Sequence, residues 1–316
     1  MSKNILVTGA AGFIGYHLIL ELKKRGDHVI GYDNFNDYYN PFLKRNRQKE
    51  LSKADITVIE GDINDIEKLD RLIQQHQITH IAHLAAQAGV RYSLINPKAS
   101  TQTNVEGFLN ILELCKKHSL KLTYASSSSV YGNNTKIPFS ETDPTHSQAS
   151  LYGVTKKSNE LMAYTYHHLY KIPVTGLRFF TVYGPWGRPD MAYFSFTKAI
   201  LAGTPIELFN EGKMSRDFTY IDDIVQGTCA AIDLDSTYEI FNLGNNQPVE
   251  LLQFVKIIEN AVEKKAHIKF CPMQPGDVEK TFADITYSKK KLKFDPKTKL
   301  EVGIPEFVSW YREQAL

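Results

Sequence analysis

Apolar residues recur along this chain in two alternating rhythms. Asn4 to Thr8 is a short aliphatic run ending at glycine, the pattern of a strand buried on both faces. Phe13, Ile14, Leu18, Ile19 and Leu22 then recur at helical spacing, and Gly26 stands where a helix end favours a left-handed residue. His28 to Tyr32 reads as a second strand and closes a strand–helix–strand unit. Further strands are predicted at Ile56 to Glu60, His80 to Leu84, Leu120 to Ala125 and Pro173 to Phe179. Helical patterns near 65–75, 100–117 and 152–170 fall between them.

Strict alternation of strand and helix predicts an α/β fold, a Rossmann-type doubly wound parallel sheet with helices on both faces. Beyond about residue 180 the rhythm loosens. Glycine, proline and tryptophan punctuate Tyr183 to Pro189, a helix follows near 192–202, and short strands mix with helices around 222–234 and 249–264. The expectation is a nucleotide-binding domain over 1–178 and a smaller C-terminal α/β lobe for substrate over 179–316. Nothing linker-like separates them, so the two should share a tight interface.

The first strand turns into the first helix through Thr8-Gly9-Ala10-Ala11-Gly12-Phe13-Ile14-Gly15. Glycines at such a turn let backbone N–H groups approach a diphosphate, which the helix N-terminus also favours. A glycine triad by itself marks any tight turn; its place in the first strand–helix unit is what points to a dinucleotide. Asp33 ends the second strand, where a carboxylate accepts hydrogen bonds from ribose hydroxyls and repels a 2′-phosphate. That favours NAD over NADP. Asp62-Ile63 follows the third strand where an adenine ring would lie, although Asp62 would serve equally as a helix cap. Leu84-Ala85-Ala86 ends the fourth strand with small residues that permit close passage of a cofactor, or simply pack.

Tyr152 and Lys156 stand one helical turn apart, hence on one face. A phenol titrates too high to be a base at neutral pH, and a neighbouring ammonium and a cationic nicotinamide would both lower it. Ser126-Ser127-Ser128-Ser129 ends the strand beginning near Leu120, at the sheet edge where ligands of open α/β sheets bind. Ser127 is expected to hold a substrate hydroxyl against Tyr152, while at least one of the four serines only satisfies backbone.

Composition adds exclusions. Net charge is +2 with basic residues dispersed, which gives no nucleic-acid groove or polybasic membrane patch, and the short run Lys289-Lys290-Lys291 reads as a solvated helix end. Cys115, Cys229 and Cys271 are far apart and lack metal-ligand spacing, so no metal is expected. No apolar run approaches the roughly 20 residues needed to span a bilayer. With no leader-like start, a cytoplasmic protein is the expectation.

With these motifs in place, the sequence resembles the extended short-chain dehydrogenases/reductases over essentially its whole length. The resemblance rests on Gly9, Gly12 and Gly15, Asp33, the serines before Val130-Tyr131-Gly132, and Tyr152 with Lys156. It narrows to UDP-glucuronate 4-epimerases through Tyr32 to Tyr39, Gln87 to Ser93, Phe180 to Met191, and Arg216 to Asp223. The resemblance implies reversible inversion at C4 of a UDP-hexuronate through a transient 4-keto sugar, with NAD as cofactor and a homodimer formed through the helices near 100–117 and 152–170. It implies that Asn104 and Phe180 join the cofactor-binding residues. It also implies that Gln87, Arg91, Ser127, Ser128, Ser129, Thr181, Arg188, Arg216 and Gln274 line the substrate site, with Arg216 on the diphosphate. Ser127-Ser128-Ser129 carries no carboxylate, unlike the related dehydratases and decarboxylases. Gln274 stands before Pro275-Gly276-Asp277 where many members carry arginine. A UDP-glucose/UDP-galactose specificity and a non-catalytic NAD-binding regulator are the competing readings.

Overall fold

A computed structural model of the chain describes residues 2–273 and 279–314. Its first half runs β1 (Asn4–Thr8), α1 (Phe13–Lys24), β2 (His28–Asp33), α2 (Phe42–Lys53), β3 (Thr57–Glu60), α3 (Ile66–Gln75) and β4 (His80–His83). Short helices α4 (Val90–Ile95) and α5 (Pro97–Thr101) lead through a π-helical turn at Gln102–Glu106 into α6 (Gly107–His118). Then come β5 (Lys121–Ser127), α7 (Leu151–Tyr170) and β6 (Val174–Phe179). The remainder comprises β7 (Thr181–Tyr183), α8 (Ala192–Ala202), β8 (Ile206–Phe209), β9 (Ser215–Tyr220), α9 (Ile221–Asp233), β10 (Tyr238–Leu243), β11 (Pro248–Glu250), α10 (Leu251–Val262), β12 (Ile268–Cys271), β13 (Lys280–Thr281), α11 (Thr286–Leu292) and α12 (Leu300–Glu313).

Seven strands form one parallel sheet in the order β10-β6-β5-β4-β1-β2-β3. Strand order reverses between β1 and β4, and the crevice beyond the carboxyl ends there is where such sheets bind ligands. The inner strands explain their own composition. Every residue of β6 is buried, as are Ile5 to Thr8 of β1, because helices cover both faces. Strands β7, β9, β11 and β13 form a smaller sheet, and β8 pairs with β12. A cut at 178/179 leaves β10 on the C-terminal side, although β10 pairs with β6 in the large sheet. The smaller lobe is therefore interleaved with the larger one rather than appended to it.

Two departures from the sequence pattern matter for the site. The helix expected over 100–117 is divided by the π turn at 102–106, whose extra residue aims Asn104 at the end of β4. Helix α2, which the apolar pattern leaves unmarked, is a polar helix that buries only Leu43, Lys44, Arg47 and Leu51. As expected, Lys289, Lys290 and Lys291 are exposed in the last turn of α11. Among the described residues no helix is long and apolar enough to cross a membrane.

Candidate active site

The dinucleotide turn is bare backbone. Gly9 adopts φ +71°, and a Cβ there would stand 2.7 Å from the Ala85 nitrogen, so the turn lies directly against the end of β4. At Gly15 a Cβ would meet the Gly9 carbonyl at 2.1 Å. Side chains at these positions would push the turn open, which is the physical reason for Gly9 and Gly15. Gly12 caps α1, followed by Phe13 and Ile14 in its first turn, and so faces a helix N-terminus suited to an anion.

Asp33 sits at the carboxyl end of β2, buried, with one oxygen accepting from the Ala11 N–H at 2.9 Å and the other from Phe35 N–H at 2.8 Å. Burial pushes its pKa up, and these amides with Lys44 and Arg47 draw it back. Asp62 accepts from Asn64 N–H at 2.9 Å and from the Asn34 amide at 2.8 Å, so it orders the loop after β3 while Ile63 is buried beside it. Asn104 accepts from Gln87 N–H at 2.8 Å and donates to the Gln87 carbonyl and the Thr155 hydroxyl. That clamps the segment Leu84-Ala85-Ala86-Gln87 to α7. Phe180 is buried between β6 and β7, its N–H bonded to the Leu243 carbonyl.

Helix α7 begins at Ser150, whose hydroxyl accepts from Gly153 N–H at 3.1 Å and so fixes the first turn. That turn presents Tyr152, which is hydrogen-bonded to Ser127 from the end of β5. Burial holds the phenol above its usual range, while Arg188 and the Ser127 hydrogen bond pull it down and Asp190 pushes it up. The counterweight in the protein is thus Arg188 first, not Lys156 as the sequence led one to expect. Lys156 is buried and donates to the Ala125 carbonyl at 2.8 Å; burial lowers its pKa to about 8.

The serines divide as their alternation along a strand dictates. Ser127 faces Tyr152 and also bonds to Ser129, with Ser128 and Ser129 in the 3₁₀ turn that follows. Ser126 points to the opposite side and donates to Glu160 at 2.7 Å. Glu160 is paired with Arg178 of β6 at 2.8 and 2.9 Å, both buried, and Arg178 reaches the Tyr131 hydroxyl at 3.0 Å. This pair pins α7 onto the sheet one turn beyond Lys156; deleting one partner of such a pair costs about 3–5 kcal/mol.

Arg188, on the loop after β7, forms a two-pronged pair with Asp190 at 3.1 and 2.9 Å. Although burial opposes its charge, Asp190 and the tyrosines Tyr38, Tyr152 and Tyr39 keep the guanidinium firmly ionised. The Tyr38 hydroxyl donates to Asp190 at 3.1 Å. Arg188 is therefore both an ion-paired loop residue and a neighbour of the phenol. Thr181 opens β7, half-buried. Arg91 lies on α4 with its guanidinium 5.3 Å over the Phe209 ring, and Arg216 on β9 donates to the Ser215 and Glu279 carbonyls. Gln274 lies outside the described residues. Sequence spacing gave no role to Tyr38 or Asp190; only the fold brings them onto Arg188.

Residues 5–244 match the NAD dependent epimerase/dehydratase family. The chain belongs to that family. Among individual relatives it is 51% identical to UDP-glucuronate 4-epimerase 4 of Arabidopsis thaliana over 98% of this chain and 75% of that protein. It superposes with a TM-score of 0.92 on UDP-glucuronic acid 4-epimerase from Bacillus cereus, crystallised with UDP-glucuronic acid and NAD. That relative is 36% identical, covering 98% of this chain and 99% of the other. A tyrosine-to-phenylalanine variant of the same Bacillus cereus enzyme, crystallised with UDP-4-deoxy-4-fluoro-glucuronic acid and NAD, gives 0.92 at 35% identity over 98% of this chain and 99% of the other.

Lys156 is buried and Tyr152 half-buried, so an acid–base role for Tyr152 predicts a pH-dependent turnover. If Tyr152 and Lys156 share one proton in the active form, kcat/KM rises with pH until the lower apparent pKa of the pair is passed. Burial lowers the Lys156 ammonium to about 8, which places that limit near pH 8. A pH profile of kcat/KM checks this, and one that falls steadily as pH rises toward 8 contradicts it.

Proposed function

We propose that this chain is an NAD-dependent 4-epimerase that interconverts UDP-glucuronate and UDP-galacturonate through a transient 4-keto sugar. The observation that carries the reading is the cation Arg188 beside Tyr152 and Ser127, with Thr181 opening the strand before it. A uronate presents a carboxylate one carbon from the ring, and a guanidinium next to the base is the group that recognises it. A neutral hexose would gain nothing from that charge.

The bare turn and Asp33 fit NAD. Gly9, Gly12, Phe13, Ile14 and Gly15 would hold its diphosphate, Asp33 its ribose, Asp62 and Ile63 its adenine, and Leu84, Ala85, Ala86, Asn104, Lys156 and Phe180 its nicotinamide half. When bound, NAD supplies an oxidised nicotinamide that accepts hydride from the sugar C4 and returns it. Tyr152 takes the C4 hydroxyl proton and returns it to the same oxygen after the ring has turned over, Ser127 aligns that hydroxyl, and Lys156 adds positive charge beside it. Thr181, Arg188, Ser128 and Ser129 hold the carboxylate while the ring turns over. Gln87, Arg91 and Arg216 serve the rest of the nucleotide sugar.

Incubating the protein with UDP-glucuronate and no added cofactor tests the reading. The expected product by NMR is UDP-galacturonate; turnover of UDP-glucose with UDP-glucuronate untouched would sink it. Leu161, Tyr164, Leu169 and Tyr170 of α7 are exposed, as is Leu109 of α6, a surface consistent with a homodimer built on these two helices. Light scattering should give twice the chain mass, and Leu161→Glu should halve it. We place the enzyme in the cytoplasm, serving polysaccharide assembly.

A further inference from the structure

The loop that carries Arg188 is held from the cofactor side. Arg47 of α2 is fully buried and distributes its guanidinium over two parts of the molecule. One nitrogen donates to the Ala11 carbonyl in the dinucleotide turn at 2.7 Å and to the Tyr39 hydroxyl at 2.8 Å. The others donate to the Trp186 carbonyl at 2.5 and 3.2 Å and to the Gly187 carbonyl at 3.2 Å. His17 of α1 bonds to the Pro185 carbonyl at 2.9 Å. Burial lowers the His17 pKa to about 4, so the ring is neutral and the nitrogen facing that carbonyl carries its proton.

Three consecutive carbonyls ahead of Arg188 are thus captured by groups belonging to the nucleotide half. The backbone between them has little freedom of its own: Trp186 adopts φ +61°, and a Cβ at Gly187 would strike the Tyr193 hydroxyl at 1.8 Å. Tyr39 joins the other flank, because its neighbour Tyr38 donates to Asp190, the partner of Arg188. A turn in a sparsely populated conformation persists only when its surroundings over-determine it. Here the surroundings are Arg47, with His17 and Tyr193 beside it.

We propose that Arg47 is a positioning residue for uronate recognition, setting the Arg188 loop against the dinucleotide turn so that the carboxylate site takes its shape from the cofactor side. The inference rests on Arg188 being the partner of the sugar carboxylate. A lysine at position 47 keeps the charge but has a single donor head, which cannot span Ala11 and Trp186–Gly187 together. In the holoenzyme, Arg47→Lys lowers kcat/KM for UDP-glucuronate about tenfold, the worth of one charge-assisted hydrogen bond. The calorimetric Kd for UDP, which has no carboxylate, stays within about twofold, and in an Arg188→Ala background the same substitution costs nothing further.

Equal losses for UDP and UDP-glucuronate make Arg47 merely structural and overturn the proposal. So does a tenfold loss that persists without Arg188. If Arg188→Ala itself leaves UDP-glucuronate kinetics unchanged, the reading of Arg188 fails and the inference falls with it. Should Arg47→Lys not fold, Tyr39→Phe withdraws one acceptor from the guanidinium. It is read by the same split, with an expected loss of about threefold, and no split overturns the proposal.

Discussion

Tyr152→Phe should cut the turnover of UDP-glucuronate about 100- to 10,000-fold, the range for removing a general acid–base group. The ring stays, so the packing at the start of α7 is kept, and Ser127 keeps its bond to Ser129. What disappears is the phenolic hydroxyl proposed to carry the C4 proton. Substrate affinity should change little, which separates loss of chemistry from loss of the site. Rapid-quench measurement of product, with calorimetry for UDP-glucuronate binding, checks both halves. Near-normal turnover would remove Tyr152 from the role of base.

Arg188→Ala should have the second-largest effect, a fall of about 100-fold in kcat/KM for UDP-glucuronate. Two terms add. On the proposed role of Arg188, a charge-assisted contact to the sugar carboxylate is lost, and Asp190, which Arg188 pairs with at 2.9 Å, is left facing a second carboxylate. Asp190→Asn in the same chain should therefore recover part of the loss. The intermediate gives a further readout. Oxidation at C4 of a uronate makes a β-keto acid, which loses CO2 when the carboxylate bond aligns with the ketone π system. Holding that carboxylate out of alignment is what distinguishes an epimerase from a decarboxylase acting on the same sugar. Arg188→Ala, and to a smaller degree Thr181→Ala, should thus release CO2 and leave a 4-keto pentose nucleotide, with the cofactor trapped in its reduced, absorbing form. Lost activity without CO2 release and with unchanged substrate binding would take these residues out of that role.

The large sheet and the shared helix face of Tyr152 and Lys156 were legible in the sequence because both follow from local periodicity. Buried parallel strands are rich in aliphatic residues, and β1, β4, β5 and β6 each carry such residues at their centre, although polar residues such as Lys121, Thr123 and Arg178 interrupt them. Tyr152 and Lys156 share a helix face by spacing alone, and Gly9 and Gly15 stand where a βα turn has no room for a side chain. The C-terminal return of β10 to the same sheet was not legible, since pairing between β6 and β10 joins residues some sixty positions apart and leaves no mark on local pattern. Nor was α2: a helix that buries two leucines and two cations shows little apolar stripe, and its stability comes from what Arg47 and Lys44 meet in three dimensions. The same holds for the pKa balance at Tyr152. Sequence placed a lysine one turn away, but burial and the approach of Arg188 from a distant loop set the phenol. Sequence alone thus determined the strands, the glycine turn and the helix face shared by Tyr152 and Lys156, which depend on neighbours a few residues apart. Tertiary structure alone decided what surrounds the carboxylate site, because Tyr38, Arg47, Arg188 and Asp190 become neighbours only when α2 and the loop after β7 close over the same edge of the sheet.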